Sequence, residues 1–404
     1  MNRLDYFDVR KTVIAFPFLL IFLTNLLITQ FLGFGYAGKL AIFASLSTFF
    51  STVLSMRWDA EILLKKEEYI GTSIIQGLMS IIFLTGLITA LMLILNKISP
   101  ETNLNIYLVT TGALIAIYEL VLITILKFRK FYEYIALRCL PPVSLLFLSY
   151  SGFSPETAWT FSFFLSLFPL IFVYSIHHKL INFKAISLRK FMESAKDKIA
   201  PTASALITNY ISLFWLLIIA IKLGDVQAGV WINIYRITSL PVVFCGTILM
   251  PFVLLRIGSK ERYTEKFNTQ FKFSTLMVLA SVLTIGFMGL LGQESFNFLT
   301  QSNLSIDQSI FLLVPIIAFI QYSLQYWKEL FQSIDRNKSF LTLLIIELSL
   351  FGLLYFAGGS FDLEKIVTAI FSISSFCFLL FVCLVFILYR KAYGVNQSTI
   401  TRDS

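Results

Sequence analysis

The sequence predicts an all-α membrane protein: twelve transmembrane helices in two six-helix bundles around a central cavity. Three observations carry that prediction. Of the 404 residues, 57% are hydrophobic and only 14% charged, whereas a soluble domain carries roughly 25% charged residues, and the mean hydropathy is +0.81. Charge-free windows of about 20 residues, the length that crosses hydrocarbon as a helix, recur along the whole chain. The basic residues between those windows alternate strictly in abundance. A soluble enzyme, a secreted disulfide scaffold and a nucleic-acid module are excluded, because too few polar residues exist to cover a water-facing surface.

The windows follow one another with little chain between them. Residues 12–38 form the first; Arg10 and Lys11 flank it, it is of full membrane length, and no small-x-small site follows, so it reads as a retained helix and not a cleaved signal. The second is 40–56, closed by Arg57, and the third is 69–96. The fourth, 102–118, continues past Glu119 to residue 126. Windows five to seven are 139–155, 157–176 and 199–221. The eighth, 226–255, is interrupted only by Arg236. The last four are 273–293, 308–327, 339–361 (interrupted by Glu347) and 366–389.

The 32 lysines and arginines then fix an orientation. The amino terminus, 57–66, 127–130, 179–198, 256–272, 328–338 and the carboxyl terminus together hold 26 of them. The alternate connections hold four, Lys39, Lys97, Lys222 and Lys365, while Arg138 and Arg236 lie within spans. Basic excess marks cytoplasmic loops, so both termini are expected in the cytoplasm. The net charge of +9 is thereby explained without nucleic acid.

The longest cytoplasmic connection divides the chain six spans to six. The expected domains are 1–178, a linker at 179–198, 199–390, and a tail at 391–404. Pro17 followed by Thr24-Asn25 in span one matches Pro201 followed by Thr208-Asn209 in span seven at the same offset, a trace of a repeat. Parallel halves place a substrate path between them, near an axis along the membrane normal. The cysteines Cys139, Cys245, Cys377 and Cys383 all lie in or beside spans, with neither zinc nor disulfide spacing; they read as packing residues. No metal or other cofactor is expected. The longest periplasmic connection is only about 294–307, too short for a glycan polymerase or ligase site. The two histidines, His177 and His178, fall in a cytoplasmic loop. The chain is expected not to be an enzyme.

Charges at mid-bilayer cost several kcal/mol, so each one is a functional candidate. Arg236 and Glu347 are the deepest. Glu119 and Arg138 lie nearer the cytoplasmic side, where Arg138 can snorkel and Glu119 can serve as the buried partner of such a cation. Glu347, with Glu119 as second candidate, is the expected ion-coupling residue; a static pairing of Glu347 with a cation such as Arg236 would look the same in sequence. Arg57 and Glu61 are spaced to pair along a helix, with Trp58 at headgroup level. Gln321, Gln325 and Lys328 fall on one helical face, lining a cavity or bonding a neighbouring helix.

These residues carry a family likeness. Gly35-Tyr36-Ala37 and the end Arg57-Trp58-Asp59-Ala60-Glu61-Ile62 bracket the second span, Ala228-Gly229-Val230-Trp231 opens the eighth with Arg236, Pro241 and Pro251 after it, and 338–347 follows later. The whole chain resembles the polysaccharide transporters of the multidrug/oligosaccharidyl-lipid/polysaccharide exporter superfamily, in particular Wzx-type O-antigen flippases of lipopolysaccharide biosynthesis. The resemblance implies a cargo of undecaprenyl-pyrophosphate-linked oligosaccharide, moved from the cytoplasmic to the periplasmic leaflet. It also implies contact with membrane lipid, and a glycan polymerase and chain-length regulator as partners. Arg236, Arg57 and Arg138 would meet the phosphates, since a planar guanidinium suits them, and Asn25, Gln321 and Gln325 are further candidates for binding the substrate. A major-facilitator-like solute transporter is the alternative, although 57–68 lacks that family's glycine-, aspartate- and arginine-rich loop.

The charge asymmetry makes one direct prediction. A cysteine placed at Ser302 is expected to react with a membrane-impermeant maleimide added from the periplasm, and one at Ser194 only from the cytoplasm. The reverse pattern overturns the orientation.

Overall fold

The computed structural model describes residues 16–64, 69–98, 106–128, 130–177, 188–258, 263–333, 337–356 and 362–400. Among them every regular element is helical. In chain order these are α1 (Phe16–Ser55), α2 (Trp58–Leu64), α3 (Ile70–Ile98), α4 (Ile106–Lys127), α5 (Phe131–Tyr150), α6 (Pro155–His177), α7 (Leu188–Leu223), α8 (Asp225–Gly258), α9 (Tyr263–Thr300), α10 (Gln308–Ser333), α11 (Asn337–Phe356) and α12 (Leu363–Ile400). Element α1 is two helices, because Gly33 interrupts it at φ 83 and ψ 170. The short α2 apart, twelve membrane-length segments remain, as the sequence predicts.

Boundaries shift for physical reasons. The break between the first two spans falls at Gly33 and not at Lys39: a residue without a Cβ takes the positive φ at no steric cost, while Lys39 is carried within the second arm. Residues 188–198 of the expected linker are the first turns of α7, and 263–272 of the next basic connection belong to α9. Charge at a helix end looks like a loop in sequence but does not stop the helix. Among the described residues, six helices are individually long and apolar enough to cross a membrane: α3, α4, both arms of α1 together, and most of α6, α9 and α12. Ile82, Phe83 and Leu87 on α3, Phe164, Phe168 and Phe172 on α6, and Val282, Leu283 and Leu290 on α9 stand exposed. Such apolar surface suits lipid, not water.

Packing divides the chain at 232/233 into two compact units. The first includes α7 and the opening turns of α8, which pack on α1. Its core joins α1 to α4 through Leu54, Trp58, Ile62, Ile74, Ile81 and Leu120. Trp58 is fully buried within the unit, and its Nε1 donates to Ser80 Oγ at 3.0 Å. Arg57 is not on a common helix face with Glu61 either. Met56 and Arg57 both adopt left-handed backbone (φ 45 and 59), which costs about 1–3 kcal/mol apiece for residues with a Cβ. This turn ends α1 and starts α2, with the Arg57 carbonyl accepting from the Glu61 amide at 3.4 Å.

Prolines inside α5 are answered by a neighbour. Pro141 has no N–H, so the carbonyl of Leu137, one turn back, loses its helical donor. The Tyr118 hydroxyl of α4 donates to that carbonyl at 2.6 Å, and Thr24 Oγ1 of α1 donates to the carbonyl of Pro142 at 3.4 Å. In hydrocarbon an unanswered carbonyl costs several kcal/mol. In the second unit, aromatic rings of α9, α10 and α12 interlock, with Trp327 against Phe267, Phe271 and Phe381, and Trp327 Nε1 donates to Ser274 Oγ at 3.0 Å.

One contact in the first unit depends on glycine. A Cβ at Gly38 would collide with the carbonyl oxygen of Asp225, and a Cβ at Gly229 with that of Phe34. The second arm of α1 and the first turns of α8 therefore meet backbone to backbone. Gly229→Ala is expected to cost about 1–3 kcal/mol through overpacking, read as a lowered midpoint of thermal unfolding in detergent. An unchanged midpoint would contradict the seam.

Candidate functional site

Polar groups inside the spans are the costly ones, and the structure sorts them by partner. In the first unit Arg138 and Glu119 form an ion pair between α5 and α4, and the Arg138 guanidinium lies 5.7 Å from the Phe18 ring centroid. Glu119 is thus the partner that the sequence allowed it to be. Asn25 is buried, and its Nδ2 donates to the Ile21 carbonyl of its own helix at 2.7 Å. Thr29 Oγ1 donates to the Asn25 carbonyl at 2.9 Å. Arg57 Nε stands 3.7 Å from Asp59 Oδ1.

Lys198 of α7 pairs with the Glu61 carboxylate of α2 and sits 4.9 Å from the Trp58 ring centroid. Sequence reading misses this cluster. Lys198 lies far along the chain from Glu61, in a basic stretch that reads as a loop, so no local spacing signals it.

The second unit holds two further groups. Glu347 of α11 is fully buried, and its Oε1 accepts from Gln321 Nε2 of α10 at 3.2 Å. Its other oxygen, Oε2, has no hydrogen-bond partner among the described residues, and Cys377 of α12 stands close to the same carboxylate. Of the two roles open to Gln321, the structure shows the bond to a neighbouring helix. Arg236 is not the partner of Glu347. It is half-buried on α8, and among the described residues it makes no ion pair or hydrogen bond. Beside it, Tyr235 is hydrogen-bonded to Tyr322 of α10, the neighbour of Gln321. Gln270 of α9 is fully buried with neither side-chain atom bonded within the described residues. Sequence reading misses it because 256–272 has the charge of a loop.

The structure therefore brings together Glu119 with Arg138 and Gln321 with Glu347, and leaves Arg236 unanswered among the described residues. The side chains of Gln325, Lys328, Thr208, Asn209 and Cys245 lie outside the described residues. Cys139, Cys377 and Cys383 are free thiols, and no cluster of three or more metal-ligating side chains occurs among the described residues.

No family model and no curated protein matches the sequence. Solved structures do match its fold. A MATE transporter bearing a single proline-to-alanine substitution superposes with a TM-score of 0.66 at 12% identity, over 96% of each chain. A MOP-superfamily transporter from Pyrococcus furiosus, described as having a binding pocket of reversed polarity that suggests a different function, gives 0.61 at 13% identity, over 95% of this chain and 96% of that one. An outward-facing multidrug-resistance MATE transporter gives 0.61 at 10%, over 95% and 96%. The chain thus shares the fold of these transporters from end to end.

Proposed function

We propose that this chain is a flippase that moves undecaprenyl-pyrophosphate-linked O-antigen, or a related surface-polysaccharide repeat unit, from the cytoplasmic to the periplasmic leaflet by alternating access. The transporter fold supports translocation and favours this reading over the major-facilitator alternative. The observation that carries the anionic cargo is Arg236, a guanidinium deep in a span with no ion pair or hydrogen bond among the described residues. The other arginine within a span, Arg138, has Glu119 beside it. A buried charge without a partner is costly, and a pyrophosphate would supply that partner as a bidentate acceptor. The structure from Pyrococcus furiosus with a pocket of reversed polarity is consistent with exchanging the charge of the cargo within one fold. Glycan polymerase and chain-length regulator are the proposed partners downstream.

Arg236→Ala is expected to abolish display of surface glycan while the protein still accumulates in the membrane, and Arg236→Lys to retain part of it, since an ammonium keeps the charge and loses the fork. Normal display by the alanine variant would make the residue structural and remove the case for an anionic cargo.

Glu347 is the proposed coupling residue. Its Oε2 has room for a proton, whereas Glu119 is already committed to Arg138. A carboxyl that takes up a proton in one conformation and releases it in the other links the two leaflets to a pH gradient. In everted vesicles, transport by the parent is expected to respond to an imposed gradient and transport by Glu347→Gln to lose that response. A retained response transfers the coupling role away from Glu347.

A further inference from the structure

The turn at Met56 and Arg57 is not required by its own sequence. Two consecutive non-glycine residues are left-handed there, yet the stretch from Ser55 to Leu64 contains no glycine or proline to force a break. Local propensity favours one continuous helix through it. Strain of this kind persists only where surrounding contacts over-determine it.

Those contacts come from α7 and from the core beneath α2. Lys198 of α7 pairs with Glu61, with side-chain exposures of only 12% and 6%, and its ammonium lies over the Trp58 ring. Trp58 is anchored in turn by Ser80, and Ile62 and Leu63 bury the other side of α2. Helix α7 is therefore held to the first unit in two different ways. Toward its far end, the chain just past α7 meets α1 through the glycine seam, backbone on backbone, with no side-chain rotamer to release. At its near end, where the basic connections cluster, its described contacts with α2 are an ion pair and a cation–π contact.

We propose that α2 is a spring-loaded latch. Glu61 and Trp58 grip Lys198 at the end carrying the basic loops, and release of that grip lets residues 56–57 relax to right-handed helix, extending α1 and undocking α2. Continuous helix places Arg57 and Glu61 one turn apart, in register to pair, so Glu61 has a cationic partner in either state. The two arrangements make α2 a bistable element of the sort that carries transport conformations. The inference stands independently of what is transported.

The test reads exposure of α2 and not transport. Full-length protein carrying Ile62→Cys is reconstituted, an impermeant maleimide is applied from the basic-loop side, and labelling at position 62 is followed by peptide mass spectrometry, so the native cysteines stay in place. Labelling is expected to be slow in that protein, to rise at least tenfold on adding Lys198→Met, and to return within threefold of the starting rate when Glu61→Lys is paired with Lys198→Glu. Met56→Gly with Arg57→Gly removes the strain without touching the grip, and is expected to slow labelling by about tenfold or more. Unchanged protection in Lys198→Met overturns the grip. Labelling that is unchanged or faster in the double glycine variant overturns the spring, and this arm remains decisive if the charge variants fail to fold.

Discussion

Nothing in hydrocarbon answers a hydrogen-bonding group, and the rest of this molecule follows from that one condition. It makes every described element helical, since a helix satisfies its own backbone. It also governs the exceptions. Where Pro141 takes a donor out of α5, Tyr118 of α4 donates to the orphaned Leu137 carbonyl. Serines and threonines such as Thr124, Ser166 and Thr284 turn their hydroxyls back to the carbonyl one turn earlier. Packing between α4 and α5 is thus partly a repair of proline chemistry, and not only a match of apolar surfaces.

The same condition sorts three carboxylates by their surroundings. Glu61 and Glu119 are each matched with a full cation, Lys198 and Arg138. Among the described residues Glu347 has only the amide of Gln321, on one of its oxygens. The first two are paired carboxylate and cation, which bury no net charge. The third has no such cover, and among the described residues Arg236 on another helix has none either. The proposed transport chemistry rests on these two unmatched groups because matched ones have little reason to change state.

How much was legible in the sequence follows from the range of each signal. Twelve segments were readable because hydropathy is a local, additive property. Glu119 and Arg138 were readable as intramembrane charges, and a cation partner for Glu119 was one of the readings left open. The break in α1 was misplaced because Lys39 resembles a loop residue, whereas the positive φ of Gly33 leaves no mark in hydropathy. Trp58 resembled an interfacial tryptophan and proved to be core, because its place depends on the left-handed Met56–Arg57 turn that folds α2 inward. The Glu61–Lys198 couple joins residues remote in sequence, and no spacing rule spans such a distance.

The glycine seam constrains how this sequence can drift. At most tight contacts, a bulkier residue on one side can be accommodated by a smaller one on the other, and paired changes keep the fit. Gly38 and Gly229 do not face side chains: each faces a carbonyl oxygen, of Asp225 and of Phe34. No substitution elsewhere makes a carbonyl smaller. Each position is closed to gradual exchange on its own account, so the two are expected to stay fixed while exposed apolar positions such as Phe83 and Phe168 are free to vary.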